Sequence, residues 1–173
     1  PAPAAQPAPA AVVPPADPSG VSGATDAASV LPDPTDLYPG DDAPKEEIAR
    51  WMARQAQKAG LPPELPVMAG LVESGLQNLD HGDADSLGYF QMRVSLWNQG
   101  ESAGYPEKPE LQLQWFIDTA TALKEKRVSE GLTDFGQDPA GWGEWIADVE
   151  RPAAQYRGRY QTRLEEARKL VYG

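Results

Sequence analysis

The stretch Val67-Met68-Ala69-Gly70-Leu71-Val72-Glu73-Ser74-Gly75 places a single carboxyl at the end of an otherwise apolar run. Pro62, Pro63 and Pro66 stand where a helix would open and Gly75 where it would stop, so the run reads as a helix carrying an apolar sequence. A carboxyl that closes such a helix is partly desolvated, which disfavours its charged form and raises its proton affinity. A carboxylic acid that keeps its proton near neutral pH can protonate a leaving oxygen, the first need of glycosidic cleavage. The alternative for Glu73 is a solvated helix-end side chain, since acids are common at such positions.

Helical signals continue on both sides. Asp42–Pro44 precede Lys45–Ala59, where Ile48, Trp51, Met52 and Gln55 recur at helical spacing before Gly60. Asn78–Gly88 is rich in Asp and Gly and reads as a loop, and Tyr89–Trp97 is a short apolar segment that periodicity leaves open between helix and strand. Glu110–Val128 carries Leu111, Trp115 and Ala122 on neighbouring turns and predicts a further helix. Asp138-Pro139 opens another with Trp142 and Trp145, and Pro152 opens the last, through Tyr156, Tyr160, Leu164 and Leu170. There is no internal repeat, no Gly-rich phosphate loop and no alternation of strands with helices, so the expected fold class is mostly α.

Residues 1–44 differ in kind. They hold eleven of the 18 prolines, six acids and no Lys or Arg. Such a stretch buries too little apolar surface to offset chain entropy and is expected to be a disordered or partly polyproline-II linker, with a domain at 45–173. Lacking basic residues and a long apolar run, it does not read as a signal peptide, and the start at Pro1 is read as that of a processed chain. No run approaches the roughly 20 apolar residues of a membrane-spanning helix. The net charge of −11 divides into −6 on residues 1–44 and −5 on 45–173. That balance argues against nucleic acid as a partner, because such binding rests on many Lys and Arg contacts to phosphate. The absence of cysteine excludes disulfides and thiolate chemistry, and His81, the single histidine, leaves no multi-His metal site.

Glu73-Ser74-Gly75, followed after a polar loop by Gly88-Tyr89-Phe90-Gln91-Met92, resembles the lysozyme-like domain of soluble lytic transglycosylases and their goose-type lysozyme relatives. Members of that family carry a Glu-Ser pair at the end of a buried helix and a Gly-Leu-Met-Gln segment after a loop. Here Gly88 lies 15 residues and Gln91 18 residues beyond Glu73. The likeness covers mainly residues 45–100 and is closest to domains of phage tail proteins and actinobacterial wall enzymes. It implies cleavage of the β-1,4 bond between N-acetylmuramic acid and N-acetylglucosamine in peptidoglycan, without cofactor or metal, in an extracellular, cell-wall or virion-associated setting. Glu73 would be the general acid and base. Ser74, Gly88, Tyr89, Gln91, Trp97 and Tyr156 would bind or orient substrate, and residues 1–44 would attach the domain to a larger polypeptide or assembly.

The sequence also departs from the family. Many members have an Ala-Tyr-Asn-x-Gly segment whose Tyr reaches the catalytic Glu, and no such string occurs here. The positional substitute is Trp145–Pro152 followed by Tyr156 and Tyr160, either of which can project into the site, Tyr156 being placed among the substrate-binding residues. Asp80, Asp83 and Asp85 with His81 read as a turn-forming loop, since their spacing misses the calcium-loop pattern. One of these carboxylates is the candidate second group of a hydrolytic muramidase, a rival outcome in which water replaces the internal hydroxyl. A rival of another class is a wall-binding or structural virion module without catalysis. Trp115, Trp142 and Trp145 read as core, whereas Trp97, between Ser95 and Asn98, is expected to face solvent.

Overall fold

Helix α2 (Glu64–Ser74) sits at the centre of the described residues, and its composition requires that position. Leu65, Val67, Met68, Ala69 and Leu71 cover every side of it and are all buried. A helix apolar on all faces must be enclosed. Helices α1 (Lys45–Lys58), α4 (Pro109–Ser129), α5 (Trp142–Glu150) and α6 (Leu164–Tyr172) do so, each packing against it. The computed structural model describes residues 36–173, and the reading of residues 1–35 as linker lies outside them.

α1 is amphipathic. Ile48, Ala49, Met52 and Ala56 face inward, while Glu46 and Glu47 in the first turn and Lys58 in the last oppose the helix dipole. α2 ends where Gly75 and Leu76 both take left-handed backbone (φ 63° and 61°), and the Leu76 N–H returns to the Gly70 carbonyl at 3.0 Å. Gly70 is fixed by that reversal: a Cβ there would lie 2.8 Å from the Leu76 Cδ1. Between α2 and α4 the chain forms a short antiparallel hairpin, β1 (Ser86–Leu87) with β2 (Met92–Arg93), in which Ser86 faces Arg93 and Leu87 faces Met92. The one-turn helix α3 (Val94–Trp97) follows directly, so the ambiguous Tyr89–Trp97 segment is in fact a turn, a strand and a helix in succession.

Two expectations need correction. The folded part begins before residue 45. The Asp36 carboxylate pairs with Arg54 (3.1 Å) and Lys58 (2.6 Å) on α1, and the Tyr38 ring meets Trp51 edge-on with centroids 4.9 Å apart. Composition averaged over 44 residues hid these contacts, because the cations that answer Asp36 are on α1. The helix expected from Pro152 onward is also broken. Residues Ala154–Arg159 and Gln161–Arg163 are 3-10 turns, and α-helix resumes only at Leu164. Arg151 ends α5 in left-handed backbone (φ 52°), and Pro152 has no N–H with which to continue it. Among the described residues no helix is long and apolar enough to cross a membrane.

Candidate active site

Glu73 is the penultimate residue of α2, half-buried at the helix end where unpaired carbonyls concentrate negative potential. Burial raises its proton affinity above that of an ordinary glutamate. Two groups pull the other way: the Tyr160 hydroxyl, which donates to Glu73 Oε1 at 2.5 Å, and the positive charge of Arg159. Burial and the neighbouring carboxyl push Tyr160 itself far above the ordinary phenol range, so it stays a donor. The result is a carboxyl that holds its proton unusually firmly, with one hydrogen bond ready to stabilise the anion when the proton leaves.

Close packing places Tyr160 there. Gly143 in the first turn of α5 lies under Gln161, and a Cβ at Gly143 would lie 2.6 Å from the Gln161 Cβ. The Gln161 amide is clamped on that surface, its Oε1 accepting from the Gly143 N–H at 2.7 Å and its Nε2 donating to the Pro139 carbonyl at 3.0 Å. The chain therefore crosses α5 tightly at 160–161 and sends the Tyr160 side chain, 1% exposed, inward to Glu73. Tyr156, the tyrosine assigned to the site from sequence, is 42% exposed instead, its ring covered on one side by the Arg159 guanidinium at 3.9 Å. Both tyrosines are positional substitutes for the family's missing one, and across the 3-10 turns it is Tyr160 that is buried and Tyr156 that faces out. Gly143, a glycine in the first turn of a helix, was the signal available for this crossing.

Ser74 is buried and joins α2 to the hairpin rather than facing a ligand. Its hydroxyl lies 2.8 Å from the Tyr89 carbonyl and 3.0 Å from the Gly70 carbonyl, and it accepts from the Gln77 N–H. Gly88 has φ 86°, and the group in close approach to it is the Gln112 side chain. Gln112 is fully buried on α4, accepts from the Tyr89 N–H at 2.9 Å, and donates to the Tyr105 carbonyl and Asn78 Oδ1, both at 3.1 Å. This polar hub, which the sequence reading missed, fixes the loop beside Glu73. Tyr89 and Phe90 are fully buried, so neither offers a ring face to a sugar: Tyr89 bonds Tyr38 through its hydroxyl at 2.7 Å, and Phe90 stacks on Phe116. Gln91 folds back over the loop, donating to the His81 and Gly88 carbonyls at 3.2 and 3.1 Å.

Trp97 is 38% exposed and lines an open groove of about 740 Å³ with Leu96, Leu111, Gln114 and Trp115, a lining that does not include Glu73. Two of the three loop acids are engaged locally. Asp85 accepts from the Arg93 side chain and from the Ser95 N–H at 2.7 Å, and the Arg93 bond holds its carboxyl well below the usual range. Asp80 bonds the His81 ring at 2.9 Å, and among the described residues no three His, Asp or Glu side chains converge as a metal-binding set.

The Tyr160–Glu73 bond has a measurable consequence. Because the hydroxyl favours the anionic carboxylate, Tyr160→Phe raises the proton affinity of Glu73. Any activity that needs the protonated form then extends to higher pH, so the alkaline limb of the pH–rate profile moves up. Turnover falls about tenfold, the equivalent of one hydrogen bond to a charged group at about 1.5 kcal/mol. A profile coincident with wild type would show that the hydroxyl does not act on Glu73. No protein-family model, curated protein or solved structure is significantly similar to this chain.

Proposed function

We propose that this chain is a lysozyme-like peptidoglycan lytic transglycosylase in which Glu73 carries both proton transfers. The observation that carries the reading is a carboxyl desolvated at the end of a buried helix, its proton affinity raised, facing a tyrosine hydroxyl that favours its ionised form. Glu73 as an acid gives its proton to the oxygen between N-acetylmuramic acid and N-acetylglucosamine, and the C1–O bond breaks toward the leaving sugar. Glu73 as a carboxylate then takes the proton of the muramic 6-hydroxyl while that oxygen bonds to C1. The product is a 1,6-anhydro end, and the enzyme regains its starting protonation without water or a second carboxylate. The Tyr160 hydrogen bond serves the middle of the cycle, where Glu73 is charged.

The hydrolytic alternative needs a free carboxylate to activate water, and two of the three loop acids are already engaged. Asp85 is held by Arg93 and Ser95, and Asp80 by His81. In this reading the substrate is a glycan strand of the bacterial wall, met outside the cytoplasm or at a virion's entry site. The expected result with purified peptidoglycan is soluble muropeptides whose masses are one water lighter than their hydrolytic counterparts. Products with ordinary reducing ends would make the chain a muramidase, and sedimentation with the wall without release would make it a binding module.

A further inference from the structure

The groove at Trp97 has no part in the cycle above, and its lining does not include Glu73. One wall is the one-turn helix α3, none of whose residues is buried. Two consecutive large apolar side chains of that turn, Leu96 and Trp97, are 58% and 38% exposed. The turn that displays them is nevertheless held at both ends. The Asp85 side chain accepts from the Ser95 N–H at 2.7 Å and the Asp85 carbonyl from the Val94 N–H at 3.1 Å, while Asn98 Oδ1 accepts from the Gly104 N–H at 2.7 Å. Just ahead of the turn, the Tyr105 hydroxyl donates to the Met92 carbonyl at 2.5 Å. An apolar patch held outward at a polar-rimmed groove marks a binding surface.

The other wall is α4. The Trp97 ring meets Trp115 edge-on, with centroids 5.3 Å apart, so a neighbouring ring sets its orientation. Trp115 is 8% exposed, and its indole N–H is closed off from water with no acceptor. A residue lining the groove thus carries a donor that the protein leaves unpaired. On either side of Trp115, Gln114 and Asp118 are exposed in the lining, and Gln114 donates to Asp118 Oδ1 at 2.7 Å. The Gln114 amide oxygen and Asp118 Oδ2 remain as acceptors. The charged residues of the lining are Glu101 and Asp118, both acids, with no Lys or Arg beside them. Such a groove repels carboxylates and phosphates. What fits is a neutral molecule with flat apolar faces and a rim of hydroxyl and amide groups. Its faces can stack on Trp97 while its edges bond Gln114 and Asp118. The volume of about 740 Å³ suits a ligand of that kind.

We propose that this groove is a second carbohydrate site, which takes uncharged N-acetylhexosamine units of a glycan strand by stacking on Trp97 and hydrogen bonding to Gln114 and Asp118. The choice of a wall glycan rests on the function proposed above. With Glu73 outside its lining, the site holds a strand without cleaving it.

The test is a titration of the 15N-labelled full chain with tetra-N-acetylchitotetraose, an uncharged oligosaccharide without stem peptides, followed at the indole N–H signals. The Trp97 signal is expected to shift saturably, while those of Trp142 and Trp145, which are core, stay in place. Trp97→Ala is expected to weaken binding about tenfold. Asp118→Ala, at an exposed position, gives an independent reading should loss of Trp97 disturb Trp115. An unmoved Trp97 signal, or unchanged affinity in both variants, overturns the proposal. A lysine-rich peptide that shifts the Trp97 signal where the saccharide does not would make the groove a protein-docking surface and overturn it as well. The titration requires no chemistry, so its failure is told apart from failure of the proposed reaction. A chain that binds at Trp97 and releases no muropeptides keeps this site and loses the reaction, and the converse loses this site alone.

Discussion

Glu73→Gln is expected to reduce muropeptide release from purified peptidoglycan by at least about a thousandfold while leaving the fold intact. A positioned general acid or base contributes about a hundred- to ten-thousandfold, and in the proposed cycle one side chain performs both transfers. The substitution is nearly isosteric. Its amide oxygen can still accept the Tyr160 hydroxyl, and the half-buried position no longer holds an ionisable group. Loss of rate is therefore expected with thermal stability equal to or above wild type, since the carboxyl being replaced resists ionisation in the folded protein. Initial rates of release and a melting curve on the same preparation check both halves. Release at the wild-type rate would remove Glu73 from the chemistry, and a collapsed melting temperature would mean that the carboxyl has a structural part the packing does not show.

The second large effect is on stability. Gly88→Ala places a Cβ 2.3 Å from Gln112 Oε1 and 2.6 Å from its Cδ, at a backbone angle of 86° that L-residues rarely adopt. The backbone costs about 1–2 kcal/mol. The Gln112 amide must also move, and it is fully buried with its bonds to the Tyr89 N–H, the Tyr105 carbonyl and Asn78. Leaving one buried polar partner unpaired costs about 1–3 kcal/mol. The expected loss is about 2–5 kcal/mol, and a fall in melting temperature on the order of 10 °C. Gly100→Ala is the matched comparison: its φ is 58° and a Cβ there would meet nothing within 4 Å, so it carries the backbone cost alone. Equal effects of the two substitutions would show that the Gln112 contact contributes nothing.

The helices were legible because their punctuation is local. Pro44, Gly60, Pro63 and Gly75 bound α1 and α2 close to where the sequence reading placed them, and the apolar run before Glu73 is enclosed as its composition requires. Trp115, Trp142 and Trp145 are core and Trp97 is surface, as their neighbours implied. What escaped was set by contacts between distant parts of the chain. Tyr160 is 87 residues from Glu73, and it reaches that carboxyl because Gly143 lets Gln161 cross α5; no periodicity within 152–172 contains that information. Gly88 read as a site glycine, yet the partner that demands it is Gln112 on another helix. Tyr89 read as a ring for sugars, but its burial depends on Tyr38, in a stretch assigned to the linker.

All of this turns on whether the fold makes an acid of Glu73. The most direct measurement is the titration of its side-chain carboxyl by 13C NMR in the free protein. A midpoint clearly above the ordinary glutamate value of about 4.3, rising further in Tyr160→Phe, is the expected result. A midpoint at or below that value would describe a solvated helix-end carboxylate and would contradict the account.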